Sequence, residues 1–405
     1  MTISRRPSLQ WIFLLLLSLV TVTMSAAKDS PKDKYLLFVG TYTQKESKGI
    51  YAYRFDAASS ELTALGVAAE TTNPSFLKID PSHRFLYAVN EVQKYKGADS
   101  GAVSAFAINR QTGKLSLLNE VASRGADPCY IALDKTGKYV LVANYTGGNV
   151  AVFPIHADGR LGESSAVLQD TGTLGPVKER QEAPHSHWIE ASAHNRFVYV
   201  SDLGLDRVLI YRFDATNGTL TKREAAVAKS GSGSPNASDF FSATLAPGTG
   251  PRHAAFSGNG NFMYVLGELD STVTVFANDA RETFRSVQRI SALPAGFSGH
   301  NDAAEIAIHP NGKYLYTSNR GHDSIALFSI DSRTGTLTLV DHFPTRGKAP
   351  RDFEIDPTGK FLLVANQDSN NIVVFRIDPN SGALTPTGQT LHVPSPVCLK
   401  FMAVE

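Results

Sequence analysis

Arg252, Arg320 and Arg351, with Glu91, Glu268 and His187, occupy two matched positions of a pattern that this 405-residue chain repeats, and His185, His253 and His300 lie close to them in sequence. Such a set suits a particular chemistry. Guanidiniums bind carboxylates, phosphates and developing oxyanions through paired N–H donors. A carboxylate or imidazole beside them can take a proton and return it. Arginines that converge with a carboxylate and imidazoles fit a small anionic or carbonyl-bearing ligand. A rim of surface ion pairs is the plain alternative, but exposed pairs contribute little and have no reason to collect in one place.

His185-Ser186-His187 has two readings. In a strand, residues i and i+2 share a face, so the two imidazoles could ligate a metal. No third ligand stands at metal-like spacing, and the pair is expected to contact substrate instead. No metal or other cofactor is expected. The Gly-x-Ser-x-Gly elbow, the Gly-rich phosphate loop and the His-Glu-x-x-His zinc motif are all missing from the sequence.

The residues share a place because the chain repeats. Clear copies begin at Asp127, Asn301 and Ala349, weaker ones near Asn73, His185 and Gly250, and a truncated one at Tyr35. Self-similarity at roughly 50 residues signals a propeller or another repeat array. Each copy reads as four short strands with alternating apolar residues, punctuated by Gly, Asn, Asp or Pro. The expected fold is all-β, a seven-bladed propeller. The truncated copy lacks its opening strand, and Ser395–Phe401 at the C-terminus supplies it, which removes exposed strand edges. Within the copies, Ser75 and Glu91, Cys129 and Tyr145, His187 and Leu203, Arg252 and Glu268, Ala304 and Arg320, and Arg351 and Gln367 stand at one constant offset. Each pair is therefore expected to face across neighbouring antiparallel strands and to ring one mouth of the central channel. Three segments depart from the repeat: 165–184, 225–249 and 288–299. They are expected to border the polar mouth, in part as a lid.

The net charge of +1, without a basic run beyond the leader, argues against a nucleic-acid partner. Residues 1–27 read as a signal peptide: Arg5 and Arg6, an apolar run from Trp11 to Val22, then Ser25-Ala26-Ala27. The run is short for a membrane span. Residues 28–405 are expected to form one exported domain, periplasmic or secreted, without stable membrane insertion after cleavage. Cys129 and Cys398 fall in separate blades and are expected to be buried free thiols.

Gly250-Pro251-Arg252-His253, Glu268, Ser318-Asn319-Arg320-Gly321-His322, Pro350-Arg351, Pro184-His185-Ser186-His187 and Asp202-Leu203-Gly204 together resemble the seven-bladed lactonase family. That family includes propeller-type bacterial 6-phosphogluconolactonases and carboxymuconate lactonising enzymes. The resemblance implies a lactone hydrolase that opens a sugar-acid lactone by water attack. It places the catalytic positions on His187 (or His185), Arg252, Glu268 and Arg320. Arg351, His185, His253, Glu91 and His300 are expected to contact the substrate, a small anionic or polyhydroxylated lactone. Two other readings remain open: a muconate-type cycloisomerase, and a non-catalytic exported binding propeller.

Overall fold

The structure is a computed structural model that describes residues 1–2, 33–44, 46–223, 242–279 and 283–404. The proposed leader, Arg5 to Ala27, and the Gly231–Pro235 stretch lie outside the described residues. Among the described residues no helix is long and apolar enough to cross a membrane.

Within the compact unit Pro31–Glu405, seven sheets each carry at least four antiparallel strands. Blade 3 is representative: Pro128–Leu133, Tyr139–Asn144, Asn149–Pro154 and Ala166–Gln169, paired in sequence order. The repeated Asp-x-x-Gly turn between its first two strands is fixed by the aspartate. Asp134 Oδ1 accepts the Lys138 and Tyr139 amides at 2.7 and 2.8 Å, an Asx-type turn. Asp80 and Asp356 do the same for the Phe85 and Phe361 amides, each at 2.6 Å. The recurrent asparagine that ends the second strand is structural too. Asn90, Asn144, Asn319 and Asn366 are buried, and each donates to a backbone carbonyl of the segment entering its own blade.

Blade 1 is built from both ends of the chain. Pro396–Ala403 pairs with Lys34–Thr41, so Leu399 and Phe401 pack with Tyr35, Leu37 and Val39 in one apolar cluster. The alternating apolar residues bury between neighbouring blades in such clusters, which leaves the innermost strands to face the axis.

The expected face-to-face register is off by one residue, and the reason is a repeated β-bulge. Pro128 pairs with Asn144 and Tyr130 with Ala143, so Cys129 is the extra residue. The same irregularity isolates His187, Arg252 and His253, Ala304 and Glu305, Arg351 and Val397. A bulged residue has no partner across the ladder, and its side chain is re-aimed. Here the bulge turns one position of nearly every inner strand toward the axis.

The departing segments are partly ordinary strand. Residues 166–169 and 288–291 belong to outer strands, and Ser242–Thr244 pairs with Arg207–Asp214 in blade 4. Of the segment 225–249, residues up to 241 lie outside the described ones. The expected thiols agree with the structure: Cys129 and Cys398 are both free and buried.

Candidate active site

Glu91, Cys129, Tyr145, Arg180, His187, Glu268, Asp302, Arg320 and Arg351 line a cavity of about 330 Å³ at the mouth. The bulges deliver Cys129, His187 and Arg351. Glu91, Tyr145, Glu268 and Arg320 stand at or just beyond the ends of second strands.

Glu268 is the centre. It is only 3 % exposed, and three guanidiniums reach it. Arg180 Nη2 lies 2.5 Å and Arg320 Nη2 3.2 Å from Oε1, and Arg252 Nε lies 3.0 Å from Oε2. The Arg252 contact is an ion pair by distance, but its angle is poor and neither atom makes a hydrogen bond. Oε2 therefore keeps hydrogen-bonding capacity, with His187 Nε2 at 3.9 Å. Burial alone would raise the Glu268 carboxyl. The charges of Arg320 and Arg252, the nearby His187 in its protonated form, and Arg180 outweigh it and hold the group well below the usual carboxylate range.

His187 is pushed the other way. Burial, then the charges of Arg252 and His253, hold it well below the ordinary imidazole value. It is neutral at pH 7, and its buried Nδ1 has no hydrogen-bond partner. Cys129 is held well above the ordinary thiol value, first by burial and then by Glu91, so it stays protonated and is no nucleophile.

Arg252 is 3 % exposed and lies beneath the cavity floor rather than on its lining. Its Nη1 donates to the Ala304 carbonyl and lies 3.3 Å from His253 Nε2. Burial and the nearby Arg320 and Arg351 lower it to about 10, so it remains charged at neutral pH. His253 sits in this lower layer as well, its Nδ1 2.8 Å from Glu305 Oε2. Arg351, by contrast, borders the cavity and the space below it. Its guanidinium lies over the Tyr42 ring, 5.3 Å from the centroid. The Tyr42 hydroxyl donates to both oxygens of Glu91 at 2.9 and 3.0 Å.

Two expected contacts fall elsewhere. His185 does not share a cavity face with His187, because the bulge breaks the strand alternation between them. It stacks on Tyr145, with ring centroids 4.4 Å apart, and bonds to Glu182 at 3.0 Å. Tyr145 meets His187 edge-on at 5.5 Å, so one tyrosine separates the imidazoles. His300 is exposed over 82 % of its side chain and pairs with Asp302 at 3.2 Å; Asp302, not His300, lines the cavity. Among the described residues no three His, Cys, Asp or Glu side chains gather as metal ligands.

Arg180 is the residue that the repeat pattern missed. It bridges Glu268 and Asp302, the latter at 3.4 Å, from the segment before blade 4. That segment is tightly built. Gln181 donates to the Leu203 carbonyl at 2.8 Å and to Asp206 at 2.9 Å. A Cβ on Gly204 would lie 1.8 Å from the Ala183 carbonyl oxygen. The segment breaks the repeat, so no matched position could flag its arginine; only its place at the mouth was legible.

The blades and their arginine-rich mouth define a closed propeller with a polar cavity, the candidate site, on its axis. The chain belongs to the lactonase family of seven-bladed β-propellers, whose profile, described as "Lactonase, 7-bladed beta-propeller", matches residues 36–401. A 6-phosphogluconolactonase of Bacillus subtilis is 36% identical over 370 residues, 91% of this chain and 99% of the relative. One from Formosa agariphila is 36% identical over 328 residues, 79% of this chain and 86% of its own length. The solved structure of a periplasmic gluconolactonase from Pseudomonas aeruginosa superposes with a TM-score of 0.83 at 35% identity, covering 92% of this chain and 100% of that one.

Proposed function

We propose that this chain is an exported lactonase that hydrolyses a polyhydroxylated, anionic or neutral aldonolactone at the Glu268 mouth. The observation that carries the reading is one buried carboxylate held by Arg180, Arg252 and Arg320 beside a neutral imidazole with a free ring nitrogen. Family membership and the names of the relatives support it.

In the reaction, water adds to the lactone carbonyl, the ring C–O bond breaks, and an aldonate and one proton result. Arg320 and Arg180, with side chains 15% and 35% exposed, are the guanidiniums open enough to meet the developing oxyanion. Arg252 acts from below, as a positioning residue that holds Glu268. His187 takes the proton from water and returns it to the departing alkoxide. Glu268 is too strongly paired to be the better base; its charge stabilises the imidazolium that forms. Arg351 receives the distal end of the sugar acid, hydroxyl or phosphate. Among the described residues no carboxylate lies within ion-pair distance of it; it rests on the Tyr42 ring face, with the charges of Glu91 and Glu268 further off. Glu91 and Tyr42 hold that wall. The leader would be residues 1–27, and the periplasmic relative agrees with export of the remainder.

The test is a pH-stat assay of glucono-1,5-lactone and its 6-phosphate, corrected for spontaneous opening. Arg351→Ala should mainly raise KM for the phosphorylated lactone, because that contact is equal in ground and transition states. An unchanged KM would remove Arg351 from the site. Isomerisation of a muconolactone without water uptake would favour a cycloisomerase instead. Mass spectrometry of the exported chain should find a start near Lys28; an intact leader on exported protein would overturn the cleavage.

A further inference from the structure

The mouth is larger than one aldonolactone needs. Its central cavity, about 330 Å³, already matches the lower end of small-ligand pockets, roughly 300 Å³. Through Asp302, Arg320 and Arg351 it continues into a second space of about 380 Å³ over blade 6, whose strands run from Asp302 to Pro344, and blade 7, from Pro350 to His392. Gln367 and Asp368 then lead to a third of about 210 Å³ between blades 7 and 1, bordered by Asn370 and Ser395. The second and third spaces form a trough that joins the central cavity at Arg351, the end of the site that receives the distal part of the sugar acid.

The trough is built and polar. Asp323 Oδ1 accepts the Ala349 amide at 2.8 Å, and its Oδ2 pairs with Lys348 Nζ at 2.9 Å. The Lys348 amide donates to Ser369 Oγ at 2.8 Å. The Gln367 and Asp368 amides donate to the carbonyls of Ala349 and Lys348 at 3.0 and 3.1 Å. These bonds hold Ala349 at φ 54° and Asp323 at φ 53°, conformations that cost a non-glycine residue energy and persist only when the surroundings fix them. Against this fixed floor the side chains of Gln367 and Asp368 line the space with their backbone amides already spent, which leaves the planar amide and carboxylate to meet ligand hydroxyls. Cations and anions alternate along the lining, so it favours neither charge strongly.

We infer that the trough is a glycosyl subsite and that the substrate class includes aldonolactones carrying a further sugar residue, with the lactone over Glu268 and the glycosyl group against Gln367 and Asp368. The inference rests on the lactonase reading and extends it to substrate size. The reaction is unchanged, since only the lactone C–O bond breaks.

The experiment compares cellobiono-1,5-lactone with glucono-1,5-lactone on the mature chain. Two or three added hydrogen bonds predict a KM about tenfold lower for the disaccharide lactone. The double variant Gln367→Ala, Asp368→Ala should raise the disaccharide KM to the monosaccharide value and leave glucono-1,5-lactone kinetics unchanged. Equal KM values in the parent, or a variant that weakens both substrates alike, would overturn the subsite. Calorimetric binding of cellobionate against gluconate gives an independent arm. If neither lactone is opened the lactonase reading fails, while tighter binding of cellobionate would still support the subsite and equal binding would refute it.

Discussion

At the residue scale the roles proposed for Glu268 and His187 set the expected pH dependence. His187 is depressed below the ordinary imidazole value, about 6.5, by burial and by Arg252 and His253. A base with a lowered pKa loses activity only when pH falls through that lower value. The profile of kcat/KM should therefore stay flat from neutrality to below about pH 6.5. A half-loss near pH 6.5 would mean that an ordinary, exposed histidine is the base. His187→Gln should lower kcat by roughly 100-fold or more and remove the acid limb. Arg252 is expected to behave differently from Arg320. Arg320→Ala, losing an oxyanion donor, should reduce kcat about 100- to 1,000-fold with a smaller loss of stability than Arg252→Ala, since the Arg320 side chain is 15% exposed and water can partly replace it. Arg252→Ala removes one partner of a buried pair and should also destabilise the fold by about 3–5 kcal/mol. Denaturant unfolding of both variants separates the two roles, and equal stabilities would contradict the layering of Arg252 beneath the floor.

Elements explain which of these residues were legible. The constant offset between first and second strands brought Arg252, Glu268, Arg320, Arg351, Glu91 and His187 to one mouth. Strict alternation, however, predicts facing pairs, and the repeated bulge replaces them with a re-aimed extra residue. A bulge leaves no signature in apolar periodicity when it recurs at the same place in every copy, because the offset stays constant. His300 was drawn in by nearness in sequence, and His185 also by strict strand alternation with His187 and by the family resemblance; the bulge leaves His185 behind Tyr145, and His300 faces solvent. Arg180 escaped because its segment has no counterpart in the repeat. Its placement depends on the close approach at Gly204. Gly204→Ala should push the Ala183 carbonyl away, cost about 1–3 kcal/mol, and lower kcat/KM through the displaced Arg180. An unchanged kcat/KM in this variant would show that Arg180 does not need its present position.

For the whole molecule, closure was readable from the truncated first copy and the orphan last strand, because a propeller has no stable place for either alone. Pro396–Ala403 indeed pairs along Lys34–Thr41. A chain ending before Pro394 should lose cooperative unfolding, since blade 1 forfeits its inner strand and Tyr35, Leu37 and Val39 lose their cover. A cooperative transition at the parental midpoint would refute the closure argument. The thiols report on the same integrity: Cys129 and Cys398, buried in blades 3 and 1, should react with a thiol reagent only after unfolding, and then as two groups.

The central claim is that the paired Glu268 mouth opens lactones with water, and the kcat/KM of Glu268→Gln on glucono-1,5-lactone and its 6-phosphate tests it most directly. Glutamine keeps the shape but removes the charge that holds three arginines and stabilises the His187 imidazolium. The account predicts that the parent hydrolyses at least one of the two lactones and that the folded variant loses at least about 100-fold on it. A folded Glu268→Gln that opens both as fast as the parent would place the chemistry elsewhere.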